Sequence, residues 1–399
     1  MADTKVSALT AIDAVAASDL FYVVDDPSGT PTGKKATAQQ IAEPFGPLAG
    51  FRNHIINGAM MVAQRGASFT SATEPVNNDD QYLLDQWILL AEGADAVDVT
   101  QSTDAPTNGL YSIALDVETA NLKFGIFQPI ERKNCIGLIG NTVTLSAYLK
   151  VSNARIDDVR MAIVAWSSTA DAVTSDIVSA WETDATNPTL VANWTYENTP
   201  ADLGVTTSWA RYSVTAAVDT ASAANIGVFI WSNTTVADPD VGDFLYITDV
   251  QLEYGSVATP FERRPFQTEL ALAQRYFQDI ARGVASNTVA NFLTQRVATT
   301  LIDCPVKFLP PMRTTPTLVT SAPSWAGGAP TTNDQINNYN NAAAAFTLIS
   351  GALTLSLEGA SFTGAVFRMA AGTSFDGSGG AVGNLYIGSI AWIAVTAEL

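Results

Sequence analysis

Histidine is almost missing: His54 stands alone in 399 residues, which removes chemistry that needs two imidazoles. Cysteine is nearly as scarce. Cys135 and Cys304 are too few for a disulfide framework or a thiolate metal cluster. Charged residues make up 15% of the chain, against about 25% in an ordinary domain. Basic charge is the rarer sign, 20 Lys and Arg against 39 Asp and Glu, for a net charge of −19. Such a chain repels phosphate backbones and anionic lipid, so neither nucleic acid nor a membrane surface is an expected partner. No apolar run approaches the roughly 20 residues that cross a bilayer; Ile390–Val395 is among the longest. The first residues lack a basic stretch followed by an apolar core, so no secretory signal is expected, and the chain is expected to stay soluble where it is made. Hydrophobic residues, by contrast, are plentiful at 47%, which excludes a disordered chain. The length suits two or three domains.

The pattern along the chain predicts a mainly all-β protein. Residues 1–50 read as a small appendage. Leu20 to Val24 is β-prone, Asp25 to Gly33 is turn-rich, and Lys34 to Thr37 returns, which predicts a hairpin. A short helix is expected at 38–42, then a linker marked by Pro44, Gly46, Pro47 and Gly50. Residues 51–265 alternate apolar and polar repeatedly: Val143 to Lys150, Val159 to Ala165, Tyr212 to Val218, Ile226 to Ile230 and Phe244 to Leu252. Turn signals separate them, which predicts an antiparallel β-sandwich of jelly-roll type. In 266–283, Leu270, Ala273, Phe277 and Ile280 recur at three, four and three, which predicts a short helix with a self-associating seam. Glu269 suits its first turn, Arg282 its last, and Gly283 its stop. Residues 284–399 alternate again at Ile302, Cys304, Val306 and Phe308, at Leu353, Leu355 and Leu357, and from Leu385 to Ala397. This predicts a second β-sandwich domain with polar connectors at 331–341 and 373–380.

Motifs for catalysis fail on inspection. Gly29 to Lys35 has three residues between its glycines where a P-loop has four, and no Ser or Thr follows the lysine. Gly377 to Gly380 precedes a strand and opens no helix, so it is no dinucleotide fingerprint. His54 has no nucleophile pattern near it, and a structural role is the better reading. Asp238 to Asp243 lacks EF-hand spacing and reads as a solvated turn. Glu182, Asp184 and Glu197 supply the carboxylates that glycoside hydrolysis requires, but acid pairs are common in a chain with 39 of them. No metal and no cofactor is called for.

A composition shift is more informative. Residues 161–262 hold one basic residue, Arg211, and five of the eight tryptophans. Aromatic faces beside carboxylates suit sugar rings, which present C–H faces and hydroxyl edges. Trp166, Trp209 and Trp231 lie in strands and are expected in the core. Trp181, Trp194 and Tyr196 lie in polar, turn-rich surroundings; with Asp184 and Glu197 they are the candidate sugar contacts.

Two stretches carry a family resemblance. Asn53-His54-Ile55-Ile56-Asn57-Gly58 through Gln64-Arg65-Gly66-Ala67-Ser68-Phe69, with Asp85-Gln86-Trp87, resembles a signature in bacteriophage tail-fibre and related virion proteins. So does Asp249 to Glu262, followed by Glu269-Leu270 and Gln274-Arg275-Tyr276-Phe277. Pro311 to Thr317, the terminal Ala397-Glu398-Leu399 and the N-terminal Val6 to Thr37 are also similar. The resemblance implies a trimeric virion appendage: a docking segment, a jelly roll like a carbohydrate-binding module, a short helix and a distal β-domain. It implies architectural roles for the matched residues and carries no enzyme signature. The expected function is host-surface glycan recognition by a fibre or spike, partnered by other virion proteins through residues 1–50. The alternative is a structural decoration of capsid or tail; a depolymerase is a distant third, since no solenoid repeat is visible.

Overall fold

The computed structural model describes residues 20–25, 32–37, 51–73, 75–219, 223–234, 239–282, 288–298, 300–320, 325–326, 336–340, 345–347, 352–371, 382–387 and 392–399. These are mainly β, in antiparallel sheets. The expected hairpin is there: β1 (Leu20–Asp25) pairs with β2 (Thr32–Thr37), Leu20 opposite Thr37. The helix expected at 38–42 and the linker after it lie outside the described residues.

From residue 51 to 265 the chain folds as a sandwich. Its strands are β3 (Ser68–Phe69), β4 (Gln81–Tyr82), β5 (Ile88–Ala91), β6 (Val97–Ser102), β7 (Ser112–Val117), β8 (Phe124–Ile130), β9 (Thr142–Val151), β10 (Val159–Trp166), β11 (Val178–Ala180), β12 (Thr189–Leu190), β13 (Trp194–Tyr196), β14 (Ala210–Ala217), β15 (Asn225–Ser232) and β16 (Phe244–Tyr254). One six-stranded sheet runs β13-β10-β15-β8-β5-β4, the other β14-β9-β16-β7-β6-β3. Strands β8, β9 and β10, and again β14, β15 and β16, alternate between the two sheets, as jelly rolls do. All five stretches singled out by alternation are strands (β9, β10, β14, β15 and β16). Between the sheets, Val143, Leu145, Ala147 and Leu149 of β9 meet Met161 and Ile163 of β10 and Val228 and Ile230 of β15 in one buried cluster.

The expected helix over 266–283 is corrected. A short α1 (Arg132–Cys135) precedes β9, and the later helix, α2, covers only Phe266–Gln274. Phe277–Arg282 is a strand paired with Trp392–Thr396. A nine-residue helix is marginal by itself, and beyond Gln274 the backbone finds sheet partners that outcompete another helical turn. The seam is corrected with it. Leu270 and Ala273 pack on Ile56, Val62 and Tyr276. Phe277 packs on Ala394 and Val319 beneath the Arg65 guanidinium, 3.8 Å from its ring centre. Ile280 packs with Phe308, Met312 and Val395. The four side chains enter three separate cores of their own chain, so they form no common stripe. Gly283 lies outside the described residues.

The distal part contains a three-stranded sheet, Phe277–Arg282, Trp392–Thr396 and Thr317–Thr320, and an eight-stranded one in which Leu301–Lys307 lies between Thr288–Ala298 and Gly364–Ala371. Ile302, Cys304 and Phe308 are buried, as their alternation predicts. The polar connector expected at 331–341 is corrected in part, because Ile336–Asn340 is a strand paired with Val382–Ile387. Residues 373–380 lie outside the described residues.

The residues of the first resemblance tie the two parts together. The Asn57 side chain donates to the Val62 and Asp85 carbonyls at 2.8 and 3.0 Å. The Asp85 carboxylate accepts from the Gln64 backbone and side chain, both at 2.6 Å. Gln64 also donates to the Phe277 carbonyl at 3.0 Å, and Arg65 pairs with Glu398. Glu269 accepts from the Asn57 backbone and pairs with Arg264 at 3.1 Å. Gly58 has no room for a side chain: a Cβ there would lie 2.1 Å from the Val250 carbonyl oxygen.

Candidate functional site

The side chains of β9 that alternate with its core set point away from the sandwich: Thr144, Ser146, Tyr148 and Lys150. Register carries that outward set across the sheet. Tyr148 faces Thr248 and Arg211, and Lys150 faces Tyr246, which faces Ala114 and, through it, Thr100. Asp98, Asp116 and Phe244 form a parallel row.

Three half-buried aromatics lie along this face. Phe244 and Tyr246 stack with ring centres 5.5 Å apart, and Trp209 meets Tyr246 at 6.2 Å. The Lys150 ammonium stands 4.9 Å from the Tyr246 ring centre. Asp104 fixes the group, accepting from Lys150 at 2.5 Å and from the Trp209 indole at 2.9 Å. Burial would raise its carboxyl, but the two hydrogen bonds and the Lys150 charge together hold it below the usual range. Asp116 goes the other way. Desolvation first, then Glu118 and Asp98, push its carboxyl up to about 6.

The aromatic row leads into a cleft of about 620 Å³, a size usual for ligand pockets. Tyr148, Arg211 and Trp209 line its sheet side; Ala105 to Asn108 and Pro260 to Arg263 supply loop walls. The second wall is held in place by side chains of β16: Gln251 accepts from the Glu262 backbone at 2.8 Å, and Glu253 accepts from the Thr259 backbone at 2.8 Å. A bulge in β16 between Thr248 and Gln251 brings Asp249 into the lining, with a positive φ of 49°. Such bulges re-aim a side chain, and aspartate tolerates this backbone region better than most residues. Asp249 is 3% exposed and accepts from Arg263 at 2.6 Å. Burial raises its carboxyl, and Arg263 offsets part of that.

The sequence-based sugar contacts fall elsewhere, and two are corrected. Trp181 and Trp194 are buried. Trp194 packs on Phe127 and Trp166 at 5.3 and 5.4 Å and donates its indole N–H to Thr174. Trp181 packs on Phe229. Its carbonyl, with those of Thr183 and Thr186 and the Asn233 amide oxygen, surrounds the Lys123 ammonium at 2.7–3.0 Å. Burial lowers the Lys123 pKa, and Asp184, which sits in that loop, offsets part of that. Trp194 and Tyr196 do line a second, more open groove of about 610 Å³, but the Tyr196 hydroxyl is spent on the Pro188 carbonyl. Glu197 accepts from the Asp219 backbone at 2.8 Å, an edge contact of the fold. Of the three tryptophans expected in the core, Trp166 and Trp231 are there, whereas Trp209 is the one at the cleft. Its signal was legible in part: it precedes Arg211, the lone basic residue of the acidic stretch.

The remaining sequence candidates are structural. His54 donates its Nδ1–H to the Asn134 carbonyl, 2.6 Å away, and burial lowers its basicity. Asp240 and Asp243 pair with Arg155. Burial pushes the Cys135 thiol up to about 11 and Cys304 to about 12, so neither is poised as a thiolate.

No family model and no curated protein matches the sequence. Among solved structures, the enzymatically active domain of tailspike protein 4 from bacteriophage CBA120 is similar at 16% identity and a TM-score of 0.30, covering 51% of this chain and 21% of that one. A putative sugar binding protein from Bacteroides thetaiotaomicron is similar at 15% and 0.32, covering 51% and 99%. A family 61 carbohydrate-binding module in complex with β-1,4-galactotriose is similar at 12% and 0.28, covering 51% and 99%.

Proposed function

We propose that this protein binds glycans without cleaving them, through the outward face of the β14-β9-β16 sheet, as the host-recognition part of a virion fibre or spike. The observation that supports the binding reading is the row Phe244, Tyr246, Trp209, open to solvent on one side and ending in a polar cleft. Aromatic faces take the C–H side of a sugar ring, and the neighbouring polar groups take its hydroxyls. Trp209→Ala and Tyr246→Ala are expected to lower binding on a glycan array at least tenfold while the melting temperature holds. Unchanged binding by both variants overturns the reading.

The virion setting rests on the sequence resemblance, and so do the homotrimer and the docking of residues 1–50 on other virion proteins. Deleting residues 1–50 is expected to leave a folded protein that is absent from particles. Mass measurement in solution is expected to show three copies, with a seam other than the four residues already assigned to intrachain cores. Host polysaccharide incubated with the protein is expected to release no new reducing ends; their release would make it a depolymerase.

A further inference from the structure

Two charged side chains that line the cleft, Asp249 and Arg211, are each anchored at one end and unused at the other. Asp249 gives one carboxylate oxygen to Arg263 and leaves Oδ1, buried and without a partner. Arg211 gives Nη2 to the Ser146 hydroxyl at 2.7 Å and to the Thr259 carbonyl, and leaves the Nε–H, also buried and without a partner. An unpaired buried polar group is costly to a fold, so two in one cleft mark a site shaped for something that is not protein. Both are fixed in advance, Asp249 by the β16 bulge and Arg211 by the strand and the Thr259 wall. Little ordering is then left for a ligand to bring about.

What satisfies both atoms is restricted. The free carboxylate oxygen needs a donor, and the free guanidinium N–H needs an acceptor. A ligand carboxylate, sulfate or phosphate only accepts, and it would meet the Asp249 charge. An ammonium only donates, and it would meet Arg211 and Arg263. Hydroxyls do both.

Resting on the glycan reading above, we infer that the cleft holds a neutral sugar by a pair of its hydroxyls, one donating to Asp249 Oδ1 and one accepting from Arg211 Nε, while the next unit of the chain lies on Trp209 and Tyr246. The charge of the approach agrees with this. Asp98 and Asp116 flank the aromatic row, so an acidic sugar meets like charge before it reaches the cleft. The approach therefore selects neutral sugars over sialic and uronic acids.

The test is an array printed with neutral glycans and with sialylated and uronic-acid glycans, probed with the full chain and two variants. Wild type is expected on neutral glycans alone. Asp249→Asn is expected to weaken that binding at least tenfold. Arg211→Lys, which keeps the charge and deletes the Nε–H, serves where Asp249→Asn lowers the melting temperature, and is expected to do the same. Preference for acidic glycans overturns the inference and leaves the glycan reading standing. Neutral binding that survives both variants does the same. Binding to no glycan at all defeats the glycan reading, and the inference with it.

Discussion

The two sheets of the sandwich share one core and differ on their outer sides. In the β13-β10-β15-β8-β5-β4 sheet, β8, β10 and β15 are buried along their whole length. Its outer side carries Phe127, Trp166, Trp194, Phe229 and Trp231, and the chain between β10 and β14 lies over them with Trp181 turned inward. In the β14-β9-β16-β7-β6-β3 sheet the outer side is polar and open, with aromatics half-buried. The covered sheet uses tryptophan as mortar; the open one uses it as a surface. Tryptophan content alone therefore says nothing of where a ligand binds. What matters is whether another segment has already claimed the ring.

That contrast can be broken most forcefully at Trp231. Trp231→Ala in the covered sheet is expected to cost about 3–5 kcal/mol, measured by denaturant unfolding, whereas Trp209→Ala on the open one should stay within about 1 kcal/mol. Equal costs would erase the distinction. Next in size is the loop that covers the sheet. Lys123→Met leaves three carbonyls and the Asn233 amide oxygen without their common donor. A loss of about 2 kcal/mol is expected, with faster proteolysis near 181–186; an unmoved melting temperature would show that the loop holds itself.

The smallest effect belongs to the open face. The Asp116 carboxyl is raised to about 6 in the folded state, above its unfolded value near 4. Its contribution to stability is therefore present in full below pH ~4 and lost as pH rises through ~6. Asp116→Asn is expected to flatten stability between pH 4 and 7 relative to wild type, read by thermal unfolding across that range. An unchanged slope would place the titration elsewhere.

Much of the sandwich was legible because period-two alternation is local. The β9 run from Val143 to Lys150 declares its buried face in eight residues, and the N-terminal hairpin declares itself by a turn between two short runs. The helix was half legible. Leu270 and Ala273 obey helical spacing and sit on α2, but Phe277 and Ile280 obey it only by coincidence, because the strand Trp392–Thr396, more than a hundred residues away, claims them. The cleft was hardest to see. Asp249 owes its aim to a bulge, and its neighbours come from Ala105 to Asn108, from Tyr148, from Trp209 and Arg211, and from Pro260 to Arg263.

By itself, then, the sequence determined the all-β class, the main strands of the sandwich and the poverty of catalytic groups, since alternation and composition act at short range or on the whole. Only the tertiary structure decided which tryptophans remain open, where the helix stops and which polar atoms are left unpaired. Each of those depends on what a distant segment does with the same surface: a ring, a backbone edge or a carboxylate oxygen is available only if no remote part of the chain has bonded to it first.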